Sequence, residues 1–304
     1  MESFWRRHRP LRGRRAANRA RRIDPLCNGG HPLCPSRVAP MSTELETLIV
    51  ERFEGVVTVT MNRPARKNAA DGVMWRELLA TFDDVATDRN DRVMVMTGAG
   101  DAFCSGADLG ATSEVAGRPG DPYLVQMRAL GDVAMRLHRF PKPTIAKVGG
   151  VAAGAGMSLA LGCDLVVASE TARFSEIFSK RGLSVDFGSS WLLPRMIGLH
   201  RAKELAFFAD IISAAEAAEF GIVNRVVPAA ELDAFVDDWA RRLAAGPPLA
   251  LSMTKTMLNN SFAVSMDQAL EDEARSQTVN FGSQDTWEAL KAFTEKRDPV
   301  FKGQ

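Results

Sequence analysis

From Leu183 to Pro194 the chain reads LSVDFGSSWLLP, and Asp186 is its only charge. An acid set between Val185 and Phe187, just ahead of Trp191, Leu192 and Leu193, has two readings. It can cap a helix over 188–196 through its side-chain oxygen. It can also carry a proton in an apolar pocket, where burial raises a carboxyl group's pKa towards neutral pH. Two glycine turns offer complementary chemistry. In VMVMTGAGDAFCSGADL a buried strand ends at Thr97, crosses a polar turn and reaches Gly106-Ala107-Asp108, where a helix could begin. In IAKVGGVAAGAGMSLALGCD a strand ends near Val148 and runs through glycines into a helix near Ala155. A helix start leaves backbone N–H groups without partners, and small side chains let a ligand approach them. Two such donors aimed at one point would hold an oxygen that gains negative charge. The same glycines would also serve close packing of helix on sheet, and spacing does not separate the two uses.

Other reactive residues offer less. Beyond residue 40 there are two histidines, His138 at the end of an amphipathic stretch and His200 in the polar segment GLHRAKE. Both read as surface residues, so a Ser-His or Cys-His site has little to draw on. Cys104 reads as a small buried side chain rather than a nucleophile. Asp164 opens a strand and reads as structural. Ser189 and Ser190 read as helix-capping residues first and as substrate-binding residues second.

The elements that would position these groups follow from periodicity. TLIVERFEGVVTVTMN holds two β-rich runs, 47–53 and 56–61, split by Glu54-Gly55, and predicts a hairpin. DGVMWRELLATFDDVAT carries apolar residues at helical spacing, and 123–139 does the same. RVMVMTG, TIAKVGG and DLVVAS read as buried strands, with GAGMSLALG a short buried helix. Strands thus alternate with helices from 47 to 169, which predicts an α/β fold with parallel strands and crossover helices. After residue 198 helices dominate, at 200–209, 214–219, 231–245, 248–259, 264–280 and 284–296, broken only by IVNRVV. Gly246-Pro247-Pro248 reads as a hinge, dividing a core at 41–246 from a helical C-terminal region at 247–304.

The 304 residues carry a net charge of +1, unevenly spread. Residues 1–40 hold ten arginines against Glu2 and Asp24, a net of +8, which leaves about −7 for the remainder. This Arg-, Pro- and Gly-rich leader shows no apolar period and cannot build a core. It reads as an extension ahead of a working start at Met41, as a disordered basic tail, or as a mitochondrial transit peptide. The mildly acidic body gives no general reason to expect nucleic acid as a partner. No apolar run is long enough to span a membrane. The four cysteines, Cys27, Cys34, Cys104 and Cys163, suggest no disulfide framework. They point to a reducing compartment, hence the cytoplasm, or the mitochondrion if the leader is a transit peptide. Cys27, His31 and Cys34 fall short of a zinc ligand set, so no metal is expected.

Four segments, MNRPARKNA (61–69), AFCSGADL (102–109), KPTIAKVGGVAAGAGMSLALGCDLVVAS (142–169) and EKRDPVFKG (295–303), occur in one register over about 45 to 303. Together they resemble the enoyl-CoA hydratase/isomerase (crotonase) superfamily. The resemblance implies a crotonase-like spiral of ββα units followed by a C-terminal helical trimerisation region. It further implies an acyl-CoA substrate, no separate cofactor, and a homotrimer or dimer of trimers. It places the two thioester-binding N–H groups at Ala107 and Ala155; relatives usually have glycine at the second. The coenzyme arm would run along Arg66 to Ala69 and along Ala107, Asp108, Leu109 and Gly110, with Arg66, Lys67 and Lys296 near its phosphates. Relatives often carry lysine where this chain has Gly110.

The resemblance also exposes a departure. Hydratases of this superfamily use two glutamates, whose positions fall here on Ser158 and Phe178. Neither side chain does acid–base work at neutral pH. Glu176 lies two residues before Phe178 and, on an extended segment, would face the same side. Asp186 matches the acid of a GLxxDxG segment that several isomerases in the superfamily use. One acid suffices to move a double bond: a carboxylate takes a proton from one carbon of an enolisable thioester and returns it to another. Hydration needs an oriented water as well. The expectation is therefore double-bond isomerisation by Asp186, with hydration as the alternative and a non-catalytic acyl-CoA-binding protein as the alternative of another class.

Overall fold

Valine, isoleucine and threonine crowd residues 48–61, and Glu54-Gly55 interrupts them. Both turn residues take positive φ (50° and 81°), as a two-residue hairpin requires. The result is β2 (Leu48–Phe53) antiparallel to β3 (Val56–Met61), with β1 (Met41–Glu44) added on the outer side of β2. The computed structural model describes residues 41–110 and 120–304. The leader, with Cys27, His31 and Cys34, lies outside the described residues.

From β3 onward the large sheet is parallel. β4 (Val93–Gly98), β6 (Thr144–Val148), β8 (Leu165–Ser169) and β11 (Arg225–Val227) complete seven strands in the order β1-β2-β3-β4-β6-β8-β11. Alternate strand residues serve two cores. Met94, Met96, Ala146, Val166 and Ala168 face the main core with α1 (Gly72–Thr87), α2 (Tyr123–His138) and α3 (Ala155–Gly162). Val93, Val95, Ile145 and Val167 face α6 (Leu232–Ala244) through Leu232, Val236 and Ala240. Burial on both faces explains why the first four residues of β4, VMVM, are all apolar.

A second, four-stranded sheet escaped the sequence reading. It consists of β5 (Ala102–Cys104), β7 (Val151–Ala153), β9 (Arg173–Ser175) and β10 (Ile212–Ser213), in the order β10-β9-β7-β5. Strands of two or three residues are too short to show a period. They make the crotonase-like spiral intelligible. Each turn runs from a long strand to a short one and then to a helix: β4, β5, α2; then β6, β7, α3; then β8, β9, α4 (Ser189–Phe208). The helices expected over 188–196 and 200–209 are the two limbs of α4, which meet at a kink where Gly198 leaves helical geometry (φ 76°, ψ 163°).

Beyond α5 (Ala214–Phe220) and α6, α7 (Pro248–Asn260) begins at Pro248, just past the Gly246-Pro247 hinge. α8 (Met266–Phe281) and α9 (Gln284–Glu295) follow. Neither α7 nor α8 has a fully buried residue. Phe262, Met266, Trp287 and Phe293 stand exposed on this region. No helix among the described residues is long and apolar enough to cross a membrane.

Candidate active site

β5 leads directly into Gly106 and Ala107. Here the expected helix start is absent: residues 106–110 form a bridge and a turn. Ala107 bridges Ala70 in parallel, and the bonds run from Ala70 N–H to the Gly106 carbonyl (2.8 Å) and from Asp108 N–H to the Ala70 carbonyl (2.9 Å). A bridge that uses the amides on this side leaves the Ala107 N–H on the other side, outside any backbone hydrogen bond. At Ala155 the expectation holds. It is the first residue of α3, so its N–H has no partner within the helix. Gly154 absorbs the sharp turn before it (φ 53°, ψ −129°), and Ala155 itself stays out of positive φ. Alanine thus replaces glycine there without strain. The two turns lie against each other. Gly106 has φ 101°, and a β-carbon on it would sit 2.9 Å from the Ala153 carbonyl oxygen and 3.7 Å from the Ala155 nitrogen.

Both turns open on one pocket of about 450 Å³. Of the residues singled out from the sequence, Arg66, Ala69, Ala107, Asp108, Leu109, Ala155 and Asp186 line it. Gly110 lies at its edge, donating its N–H to Asp108 Oδ1 at 3.1 Å. Lys67 and Lys296 are not in the pocket wall. Lys67 takes a left-handed turn (φ 52°) and its ammonium group pairs with Asp101. Lys296 caps the C-terminal end of α9 (φ 55°), away from this pocket in the single chain.

The turn that carries Arg66 and Ala69 is held by two residues of the MNRPARKNA segment to which the sequence assigned no structural role. Asn68 is buried at positive φ (55°), and its amide donates to the carbonyls of Ala99 (2.9 Å) and Ala102 (2.8 Å). Arg63 pairs with both Asp71 (3.1 Å) and Asp108 (2.9 Å) and donates to the Ala69 carbonyl. Burial works against ionisation of Asp108, but the Arg63 hydrogen bond wins and holds its carboxyl below the usual range. Asp108 is therefore committed to structure.

Asp186 is free. It is not a helix cap: α4 starts at Ser189, its N-cap is Gly188 (φ 83°), and no side chain caps it. The Asp186 main-chain carbonyl accepts the Ser189 N–H at 3.0 Å, and its carboxylate stays with the pocket. Oδ1 is buried with no hydrogen-bond partner. Burial pushes the carboxyl up to about 6. The next residue, Phe187, takes a left-handed conformation (φ 49°) that its ring contact with Trp75 (5.1 Å) helps to fix.

The remaining reactive residues fall away. Burial pushes the Cys104 thiol up to about 11 and Cys163 up to about 12, so neither supplies a thiolate. Asp164 accepts from Thr144 N–H (2.7 Å) and its hydroxyl (2.8 Å) and pairs with Lys255 (2.8 Å), a structural role as expected. His200 is exposed. His138 is half-buried rather than a plain surface residue, edge-on to Trp191 at 5.0 Å. Ser189 caps nothing; its hydroxyl is buried and unpartnered.

A pocket lined by Ala107, Ala155 and a half-buried carboxylate is matched by relationship. A family model described as enoyl-CoA hydratase/isomerase covers residues 51–304. The chain belongs to the enoyl-CoA hydratase/isomerase family. It is 37% identical to the 1,2-epoxyphenylacetyl-CoA isomerase of Escherichia coli, over 86% of this chain and 100% of that protein. A probable enoyl-CoA hydratase of Rhodobacter capsulatus is 36% identical over 85% of this chain and 98% of its own length. The crystal structure of a putative enoyl-CoA hydratase from Streptomyces coelicolor superposes with a TM-score of 0.80 at 35% identity, covering 90% of this chain and 100% of that one. The fold is therefore the crotonase fold, and the chain is an enzyme of the hydratase or isomerase type.

Within this enoyl-CoA hydratase/isomerase chain, Ser158 and Phe178, where the resemblance leads one to expect the two hydratase glutamates, are not acids. Ser158 is buried and donates to the Gly154 carbonyl at 3.2 Å. Phe178 lines the pocket as an apolar wall. Glu176 does not share its side, because 177–181 coil into a 3-10 turn instead of extending. Its side chain is buried, does not line the pocket, and is pushed up to about 7, chiefly by that burial.

Proposed function

We propose that this chain isomerises the double bond of an enoyl-CoA thioester. The observation that carries the reading is Asp186, a carboxylate with an unpartnered buried oxygen in the wall of the pocket that Ala107 and Ala155 also line. The two N–H groups hold the thioester oxygen. Asp186 removes a proton from the carbon chain, the electron pair moves onto that oxygen as an enolate, and the donors stabilise the charge. The protonated acid then returns the proton to a different carbon, and the double bond has moved. Arg66 and the 66–69 and 107–110 turns receive the coenzyme arm. The reaction needs no group beyond the thioester itself. Hydration would require a second acid to orient water, and Ser158 and Phe178 occupy those places. The relative at 37% identity is named an isomerase, of an epoxide CoA ester, which supports isomerase chemistry on this fold without specifying a double-bond shift.

The test is to incubate the purified protein separately with 3-enoyl-CoA and 2-enoyl-CoA and separate the products. The expected result is conversion of the first to the 2-enoyl ester, with little 3-hydroxyacyl-CoA from the second. Preferential hydration of the second, unaffected by Asp186→Asn, overturns the reading; binding without turnover makes the chain an acyl-CoA carrier. The pH profile gives an independent check. The carboxylate is the working form, so kcat/KM should be lost as pH falls and rise through about pH 6, where Asp186 ionises. An acid limb near pH 4, the value of an exposed carboxyl, speaks against a buried base.

We further propose that the exposed apolar residues of the C-terminal region, Leu258, Phe262, Trp287, Leu290 and Phe293, are covered by other copies of the chain in a trimer. Light scattering coupled to size exclusion should return three chains per particle; a monomer at micromolar concentration sinks this assembly. The cytoplasm is the proposed compartment.

A further inference from the structure

One buried acid is left unused by the mechanism. Glu176 is 0% exposed. Neither of its carboxylate oxygens has a hydrogen-bond partner. An ionised carboxylate without donors is among the costliest groups to bury, so such a side chain keeps its proton. Two other buried oxygens are also orphans, Asp186 Oδ1 and the Ser189 hydroxyl. The three residues are tied together electrostatically. The charge of Asp186 opposes ionisation of Glu176 and the Ser189 hydroxyl favours it, although Glu176 and Ser189 make no hydrogen bond of ordinary geometry. The chain links them too, since Ser189 N–H donates to the Asp186 carbonyl at 3.0 Å.

Orphan atoms of this kind are complementary once a proton is added. A neutral Glu176 has an O–H to donate and a carbonyl to accept. Asp186 Oδ1 is an acceptor, and the serine hydroxyl can act as either. We propose that Glu176 is a positioning residue: it is held near Asp186 as a neutral buried acid, and by staying uncharged it sets the pH range over which Asp186 can take a proton from substrate. Glu176 does not touch the substrate, because Phe178 and Ile177, not Glu176, form the pocket wall there. The inference rests on the role given above to Asp186.

The other charges around Glu176 are engaged elsewhere. α3 packs nearby and has no ionisable side chain. On the 3-10 turn, Lys180 pairs with Asp210 at 3.1 Å, and Arg181 lines the pocket. Arg173 on β9 donates to the carbonyls of Thr171 and Ala172. Arg195 on α4 lies over the Trp191 ring at 3.9 Å. On the facing start of α5, Glu216 is bound to Ser213. The charge that acts on Glu176 is that of Asp186. Two coupled carboxyls release their protons in two steps that belong to the pair. After the first step Asp186 is ionised and Glu176 neutral, the working form. After the second, a further negative charge sits beside a pocket in which the substrate must itself become anionic, and turnover falls.

The pH–rate profile and an infrared titration test this together. Wild type should show an alkaline limb, and Glu176→Gln, neutral at every pH, should lose that limb while keeping the acid one. In an Asp186→Asn background, where residue 186 has no carboxyl to protonate, infrared spectra at pH 6 should contain the C=O stretch of a neutral carboxylic acid that fades above about pH 7 and is missing from the Asp186→Asn/Glu176→Gln double variant. Thermal unfolding adds a sign. The folded acid holds its proton to about pH 7 and the unfolded one to about 4.5, so its contribution to stability is present below 4.5 and is lost as pH rises through 7. The melting temperature of Glu176→Gln should therefore gain on wild type between pH 5 and pH 8. Superimposable rate profiles, or no neutral-acid band at pH 6, overturn the proposal. Should Asp186→Asn leave isomerisation intact, the mechanism is wrong, and the infrared titration still decides the state of Glu176.

Discussion

Asp186→Asn should reduce isomerisation by about 10²- to 10⁴-fold in kcat, the range that a positioned acid–base group contributes. Asparagine matches the carboxylate in size, so the pocket keeps its shape and KM should change little. What is lost is the ability to hold a proton between its removal from one carbon and its delivery to another. Folding should survive, and for a physical reason. The wild-type carboxylate has a buried oxygen with no partner and is pushed up to about 6 by burial, so it costs stability at neutral pH. The variant should melt no lower than wild type at pH 8. Steady-state kinetics with 3-enoyl-CoA, paired with thermal unfolding, checks both halves. A variant that keeps most of its kcat removes Asp186 from the mechanism. One that loses activity together with several degrees of stability reports a structural lesion instead.

Ala155→Pro tests the donors with comparable force. A backbone N–H cannot be deleted by ordinary side-chain exchange, but proline lacks one. Ala155 is the first residue of α3, the place where a helix accepts proline best, since that N–H has no intrahelical partner and the ring presets a helical φ. Loss of one such donor should cost about 10²- to 10³-fold in kcat. Ala155→Gly, which keeps the N–H, is the control and should stay near wild type. Circular dichroism and the melting curve separate the missing donor from a damaged helix. Equal activity in the proline and glycine variants would mean that the Ala155 N–H does not meet the thioester oxygen.

What could be read in advance follows physical range. The 48–61 hairpin was legible because its turn chemistry and its alternation are local, and α1 because sixteen residues give a period room to show. The second sheet was not, since β5, β7 and β9 are three residues each and exist only through their pairing. At Ala107 the expected free donor is present for a different reason. A bridge to Ala70 exposes the N–H, and that contact joins residues far apart in sequence. The capping role of Asp186 failed because Gly188, at positive φ, turns the chain into α4 without a side-chain acceptor. Lys67 and Lys296 were expected near the phosphates from the resemblance; both sit at positive φ, and neither lines the pocket of the single chain. Glu176 was expected on the side of Phe178 because an extended segment was assumed. The 3-10 turn keeps it out of the pocket wall, and only burial in three dimensions shows that it lacks partners.

Because both donors belong to the main chain, the genetic vulnerability of the site lies next to them rather than on them. A saturation library should accept many small residues at 107 and 155, where any amino acid but proline brings the same amide. It should reject nearly everything at 106 and 154, where the φ values of 101° and 53° and the nearby Ala153 carbonyl and Ile177 side chain leave room for hydrogen alone. Sequencing the survivors of such a library would map the chemistry onto two residues that have no side chain to contribute.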